Sequence, residues 1–157
     1  MPAATRLERR LTCPDPGATS ALGRALSRAA AAGDLVCLWG ELGAGKTHLA
    51  KAFGAGLGVT GTITSPSFIL MAEYEGRLPL FHLDLYRLAD ASDVLAGGLI
   101  DDRQSAGVTL VEWPDRMVDA LPAARLDVHI EGTGDEARTI VLEAGDPTYR
   151  RYLEAVP

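Results

Sequence analysis

The sequence predicts a mixed α/β fold in which a mostly parallel sheet, flanked by helices, is extended by antiparallel hairpins. Two observations support this prediction: a buried strand followed by a turn and a helix in the first third of the chain, and two hairpin signals farther along. The 157 residues suffice for a domain with a sizeable core. Because no internal repeat or long linker divides the chain, we expect one domain over residues 1–157.

The first third of the chain alternates strand and helix patterns. The alternation of Leu7, Arg9 and Leu11 predicts a short strand, and apolar residues at helical spacing predict a helix over residues 18–32 that Gly33 would end. The apolar run over residues 35–39 is typical of a strand buried on both faces. A glycine-rich turn follows, and then a second helical stretch over residues 46–55.

The rest of the chain is richer in strands. Hairpins are predicted where two strand patterns flank a short turn: residues 68–73 with 79–83, and residues 125–131 with 138–143. The other predicted elements are a short helix over residues 90–95, a strand over residues 108–111 that Trp113 and Pro114 would end, and a terminal helix that begins at Asp146 and Pro147.

The charge balance limits the partners that the chain can hold unaided. Its 15 basic and 21 acidic residues give a net charge of −6, which disfavours direct binding of nucleic acid. Its apolar runs are far shorter than the roughly 20 residues of a membrane helix, and no apolar signal segment follows Met1. Cys13 and Cys37 stand apart and are expected to be reduced thiols. We therefore expect a cytoplasmic protein that does not enter a membrane.

Residues 40–47 read Gly-Glu-Leu-Gly-Ala-Gly-Lys-Thr and fit the phosphate-loop pattern G-x-x-x-x-G-K-[ST] at every defined position. The backbone N–H groups of such a loop curl around phosphate oxygens, and the following helix directs its positive end at the anion. The lysine can reach the β- and γ-phosphates, and the threonine hydroxyl can bind Mg²⁺. The fold is therefore expected to resemble that of P-loop NTPases. The residues predicted to bind the nucleotide are Glu41, Leu42, Gly43, Ala44, Gly45, Lys46, Thr47 and His48.

The choice of nucleotide follows by elimination. An Asn-Lys-x-Asp element for guanine is impossible because no lysine follows Lys51. The segment from Asp84 to Arg87 lacks the glycine of a D-x-x-G switch, and no insertion resembles the arginine-bearing lid of a small-molecule kinase. These observations favour ATP over GTP.

Two acidic residues end predicted strands. Asp84 follows one apolar run and Glu112 follows another. Because ligands bind at the carboxyl ends of parallel strands in α/β sheets, both carboxylates are candidates for binding Mg²⁺ or orienting an attacking water. His82 shares a strand face with Asp84, and we interpret it as a packing and hydrogen-bonding residue rather than a catalytic one. No histidine and cysteine spacing indicates a zinc site.

Four segments carry a resemblance to a known family. G-E-L-G-A-G-K-T, T-S-P-S-F, F-H-L-D-L-Y-R-L and V-E-W-P-D-R follow one another in this order. In this respect the chain resembles the bacterial TsaE family over about residues 15–138. Members of that family are small ATPases required for forming threonylcarbamoyladenosine at position 37 of tRNAs that read codons beginning with adenine.

The resemblance implies specific roles for residues of this chain. Lys46, Asp84 and Glu112 would be catalytic: Lys46 would neutralise the phosphates, and Asp84 would be the acid essential for hydrolysis. Thr47 and Glu112 would be Mg²⁺ ligands, and Trp113 would lie beside the nucleotide. The resemblance also implies a switch-like loop at residues 64–68 and an adenine pocket near residues 14–19 and 134–138.

The same resemblance implies partners and leaves two other functions open. The partners would be a TsaB–TsaD pair, tRNA would be bound mainly by the assembly, and ATP hydrolysis by the chain alone would be weak. A small-molecule kinase would instead show ATP turnover stimulated by a metabolite. A nucleotide-sensing adaptor would bind ATP or ADP without hydrolysis, although it would have no need of both Asp84 and Glu112.

Overall fold

A computed structural model describes residues 7–61, residue 63, residues 71–86 and residues 102–157. Within these residues, the strands are β1 (Leu7–Cys13), β2 (Leu35–Gly40), β3 (Met71–Tyr74), β4 (Leu80–Asp84), β5 (Val108–Glu112), β6 (Leu126–Glu131) and β7 (Arg138–Ala144). The α-helices are α1 (Pro16–Arg28), α2 (Lys46–Gly56) and α3 (Arg150–Ala155), and shorter 3-10 helices cover Asp102–Ala106, Pro114–Ala120 and Pro147–Tyr149.

The described strands form one mixed sheet in the order β1-β7-β6-β2-β5-β4-β3. Its centre is parallel, since β2 pairs in parallel with β5 and β6, and β4 pairs in parallel with β5. Antiparallel strands extend both flanks: β3 joins β4, and β7 joins β6 and β1. The predicted fold class and the predicted hairpin of residues 125–131 with 138–143 are thus confirmed. The hairpin of residues 68–73 with 79–83 is confirmed from residue 71 onward, and residues 68–70 lie outside the described residues.

The sheet is covered unequally on its two faces. The larger apolar cluster packs the sheet against α1, α2 and α3 and includes Leu26, Phe53 and Tyr152. The smaller cluster, on the opposite face, is centred on Cys37, Phe81 and Val111. In the described part of the chain, no helix combines the length and apolar character needed to cross a membrane.

Helix α1 ends earlier than the sequence pattern predicts. It begins at Pro16, capped by a hydrogen bond from Ala18 N to Asp15 Oδ1 (2.8 Å), but it ends at Arg28 rather than running to residue 32. The reason is local competition for a backbone donor, because the N–H of Ala31 donates to the side chain of Asp34 at 2.9 Å. The predicted switch-like loop at residues 64–68 and helix at residues 90–95 lie outside the described residues.

Asp34 also connects the terminal helix α3 to β2, the strand that leads into the phosphate loop. Its buried carboxylate accepts hydrogen bonds from Tyr152 Oη at 2.5 Å and from the guanidinium of Arg151. Burial, with the nearby carboxylate, raises the pKa of the Tyr152 hydroxyl, which keeps it a donor. One residue on, Leu35 N donates to Tyr149 Oη at 2.9 Å, so the start of β2 is held by the C-terminal segment.

Replacing Asp34 with alanine is expected to destabilise the fold. Asp34→Ala leaves the buried Tyr152 hydroxyl without its acceptor and removes the carboxylate that pairs with Arg151, which should lower the free energy of unfolding by about 2–4 kcal/mol. Urea unfolding would measure the change. Glu154→Ala, at an exposed position of α3, is the control and should change stability by less than about 0.5 kcal/mol. Equal effects of the two substitutions would contradict the anchoring role of Asp34.

Candidate nucleotide-binding site

The phosphate loop joins the end of β2 to the start of α2, as the motif requires. Gly43 and Gly45 adopt positive φ angles of 84° and 107°, which lets the chain curl tightly between the two elements. Gly45 is the N-cap of α2, and no side chain caps the helix there. The first N–H groups of α2 are therefore available to an anion placed at the loop, where the helix dipole also favours negative charge.

Lys46 lies folded back over its own loop. Its side chain is buried, and Nζ donates to the carbonyl oxygens of Gly40 and Glu41 at 2.5 Å and 3.0 Å. Nζ also lies 4.0 Å from the centroid of the Trp113 ring, a cation–π contact. Burial lowers the pKa of Lys46, and the negative charges of nearby carboxylates, Glu112 foremost, oppose that shift. The ammonium is thus held at the loop by acceptors for which phosphate oxygens could substitute.

The two predicted strand-end carboxylates are neighbours. β4 and β5 pair so that Asp84 lies directly opposite Glu112, and both side chains are buried, at 5% and 2% exposure. Thr47 Oγ1 donates to Glu112 Oε1 at 2.9 Å and lies 3.2 Å from Oε2. Asp84 Oδ1 accepts from the N–H of Tyr86 at 3.0 Å. The start of α2 and the ends of β4 and β5 therefore present oxygen atoms to one cavity of about 370 Å³.

These oxygens suit a magnesium ion that is shared with a nucleotide. No group of three or more His, Cys, Asp and Glu in the described ranges is placed to hold a metal on its own. Mg²⁺ is usually held by one or two carboxylates, a hydroxyl, phosphates and water rather than by a complete protein cage. The hydroxyl of Thr47 beside the carboxylate of Glu112 fits that chemistry.

Trp113 lines the same cavity in an unusual backbone conformation. Its φ and ψ angles are 58° and 50°, the left-handed region that non-glycine residues rarely adopt, and it precedes Pro114. Its ring contacts that of Tyr86, with centroids 4.8 Å apart. Such strain clusters at functional sites, and here it turns the chain so that the indole contacts Lys46. Nothing in the sequence pattern indicates this ring contact of Tyr86, which was not among the predicted site residues.

A second cavity of about 310 Å³ adjoins the loop on the side of α1. It is lined by the turn before α1, by Ala44, Gly45 and His48, and by the turn between β6 and β7. The two segments that the resemblance assigns to an adenine pocket are thus brought together beside the phosphate loop. His48, which the sequence assigns to nucleotide binding, lies 2.8 Å from Ser20 Oγ and 3.0 Å from Pro16 O through its Nε2 atom.

Arg138 ties the two walls of this second cavity together, a role that the sequence did not indicate. Its Nε donates to the carbonyl of Ala44 in the phosphate loop at 2.9 Å. Its Nη2 donates to the carbonyl of Gly134 in the β6–β7 turn at 3.0 Å. Because its partners are backbone carbonyls, no residue-type pattern could have revealed them.

The comparisons with known proteins agree with the geometry. The family described as "Threonylcarbamoyl adenosine biosynthesis protein TsaE" matches residues 13–140. The chain is 40% identical over 141 residues to the tRNA threonylcarbamoyladenosine biosynthesis protein TsaE of Bacillus subtilis, covering 89% of this chain and 88% of that protein. The protein of the same name from Treponema pallidum is 37% identical over 124 residues, 79% of this chain and 92% of its own length.

A solved structure shares the fold. The crystal structure of Bacillus subtilis YdiB matches with a TM-score of 0.75 and 34% identity, covering 98% of this chain and 95% of that one. The phosphate loop, the strand-end carboxylates and these similarities lead to one conclusion. The chain belongs to the TsaE family.

Proposed function

We propose that the chain binds and hydrolyses ATP with Mg²⁺ as part of the formation of threonylcarbamoyladenosine at position 37 of tRNA. The observation that carries the proposal is the grouping of Thr47, Asp84 and Glu112 beside the phosphate loop. The printed names of the relatives supply the pathway, tRNA threonylcarbamoyladenosine biosynthesis. In this proposal, residues 1–157 act as one ATPase domain.

Each group at the site has a distinct part in this proposal. The backbone of residues 41–45 and the N-terminus of α2 cradle the phosphates, and Lys46 neutralises their charge. Thr47 and Glu112 hold Mg²⁺, which supplies charge neutralisation on the phosphate oxygens. Asp84 orients the attacking water or accepts its proton, since its carboxylate lies beside Glu112 in the same cavity.

The second cavity is proposed to receive the nucleoside. It is lined by the segments that the resemblance assigns to adenine, and His48 lines both cavities. Trp113 is proposed to lie beside the nucleotide at the phosphate end, where it already contacts Lys46. The arrangement supports ATP or ADP as the ligand.

The partners are proposed to be proteins rather than tRNA alone. We expect a TsaB–TsaD-like complex to stimulate hydrolysis and to carry most of the tRNA contact, in the cytoplasm. The net charge of −6 supports this division, because an acidic subunit repels the phosphate backbone of tRNA.

The test of the function measures ATP hydrolysis in three mixtures: the chain alone, the chain with the partner pair, and the chain with the pair and tRNA. Formation of threonylcarbamoyladenosine is followed in the same mixtures. We expect weak turnover alone, faster turnover with the pair, and modified tRNA only when the chain and ATP are present. Turnover stimulated by a metabolite instead of the pair would favour a kinase. Nucleotide binding without hydrolysis in any mixture would favour an adaptor.

Lys46→Ala should weaken ATP binding at least about tenfold. The substitution removes the ammonium at the loop, and a hydrogen bond to a charged group contributes about 1.5–3 kcal/mol. Calorimetric titration measures the change. Lys51→Ala is a matched control, because Lys51 is the other lysine of the chain and lies exposed on the same helix. If both variants bind ATP alike, Lys46 does not contact the phosphates.

Asp84→Asn should retain ATP but lose most hydrolysis, by about 100-fold or more if the carboxylate acts on water or its proton. The amide oxygen can still accept from Tyr86 N, so the local fold should persist. Glu8→Gln, at an exposed position of β1, is the control and should leave turnover within about twofold. A parallel loss of binding and turnover would make Asp84 a structural or general binding residue.

Glu112→Gln keeps the side-chain shape but removes its charge, so Mg²⁺-dependent hydrolysis should fall steeply while metal-free nucleotide binding changes little.

The fluorescence of Trp113 should change when nucleotide binds, since phosphates would draw the Lys46 ammonium from its ring. Trp39→Phe provides the background, because Trp39 is the other tryptophan. Unchanged emission on ADP addition, together with an unaltered Mg²⁺ requirement in Glu112→Gln, would remove both residues from the site.

A further inference from the structure

His82 is a fully buried polar residue whose contact the roles above leave unexplained. It lies on β4, two residues before Asp84, and its side chain has no exposed surface. Its Nε2 atom lies 2.6 Å from Glu112 Oε2, whereas its Nδ1 atom is buried without a hydrogen-bond partner among the described residues. Burying an imidazole with one nitrogen unsatisfied is unfavourable. This cost indicates that the hydrogen bond from the other nitrogen to Glu112 has a role.

The hydrogen bond runs from the histidine to the carboxylate. An ionised carboxylate only accepts, so the Nε2 atom carries the hydrogen and donates it to Oε2 of Glu112. Thr47 donates to the same carboxylate at Oε1, 2.9 Å away. The Glu112 side chain is therefore held from two directions, by α2 through Thr47 and by β4 through His82.

We propose that His82 is a positioning residue that aims the Glu112 carboxylate at the metal position beside Thr47. This inference rests on the proposed function, in which Glu112 binds Mg²⁺. Glutamate has several rotatable bonds, and without His82 the carboxylate would lose the hydrogen bond that holds it from β4. Hydrogen bonds from outside the ligand set orient metal ligands, and their loss typically weakens metal binding by about 10- to 100-fold.

The choice of nitrogen distinguishes positioning from simple packing. A glutamine amide nitrogen can reach the place of histidine Nε2, whereas an asparagine amide nitrogen reaches only the place of Nδ1, which has no partner in the described ranges. His82→Gln should therefore preserve the hydrogen bond to Glu112. His82→Asn should lose it, and so should His82→Leu, which fills the space without a donor.

The test measures the affinity of the full chain for ADP by calorimetry, once in EDTA and once in Mg²⁺, and takes the ratio of the two dissociation constants. His82→Asn and His82→Leu should reduce the gain in affinity that Mg²⁺ provides by about tenfold or more, with affinity in EDTA within about twofold of the unsubstituted chain. His82→Gln should keep the gain within about threefold. Thermal melts confirm that each variant is folded at the temperature used.

Phe81→Leu is the matched control. Phe81 is the neighbouring residue on β4 and is buried in the smaller apolar cluster on the opposite face. Its truncation should lower the melting temperature without changing the gain in affinity that Mg²⁺ provides. Phe81→Leu therefore separates the effect of a destabilised β4 from the effect of a misoriented Glu112 carboxylate.

The outcomes are distinct. An unchanged Mg²⁺ gain in His82→Asn and His82→Leu, or equal losses in the glutamine and asparagine variants, would overturn the positioning role and leave the proposed function intact. If the asparagine variant does not fold, the leucine and glutamine variants carry the same comparison. If the unsubstituted chain binds ADP equally in EDTA and in Mg²⁺, the metal role of Glu112 fails, and the role of His82 fails with it.

Discussion

The hydrogen bond between Thr47 and Glu112 is the constraint on which the candidate site depends. It joins the first turn of α2 to the last residue of β5, so the phosphate loop and the sheet edge cannot move independently without breaking it. Both elements have fixed positions: α2 follows the loop directly from β2, and β5 is paired with β2 and β4 in parallel register. Thr47, Glu112 and Asp84 consequently line one cavity beside the loop. In the proposed function, that cavity would receive the metal and the reacting phosphate.

The fold and the grouping of the site were predictable because both follow from local patterns. The glycine-rich loop from Gly40 to Thr47 shows its turn and its helix start within eight consecutive letters. Asp84 and Glu112 each end an apolar run, and the carboxyl ends of parallel strands lie at one edge of the sheet. The register that sets them directly opposite each other is seen in the structure and is not specified by the apolar runs.

What the sequence could not predict are contacts between distant residues and one unusual backbone conformation. His82 and Glu112 are 30 residues apart, and Arg138 reaches a loop carbonyl 94 residues away. No alternation or spacing specifies such pairs, although the i, i+2 relation of His82 to Asp84 placed the histidine on the correct strand face. The early end of α1 also depends on a side chain. The N–H of Ala31 donates to the carboxylate of Asp34 and is therefore lost to the helix, which the helical spacing of apolar residues does not show. The positive φ of Trp113 could not be predicted either, because non-glycine residues such as tryptophan rarely adopt that backbone conformation.

A double-mutant cycle tests most directly whether Thr47 and Glu112 act as one unit on the metal. Thr47→Val and Glu112→Gln would be made singly and together, and the gain in ADP affinity that Mg²⁺ provides would be measured for all four proteins. Residues in contact that share a ligand are coupled by about 0.5–3 kcal/mol, so the double variant should lose much less than the sum of the two single losses. Losses that add within about 0.3–0.5 kcal/mol would show independent residues. Such additivity would contradict the proposed metal site.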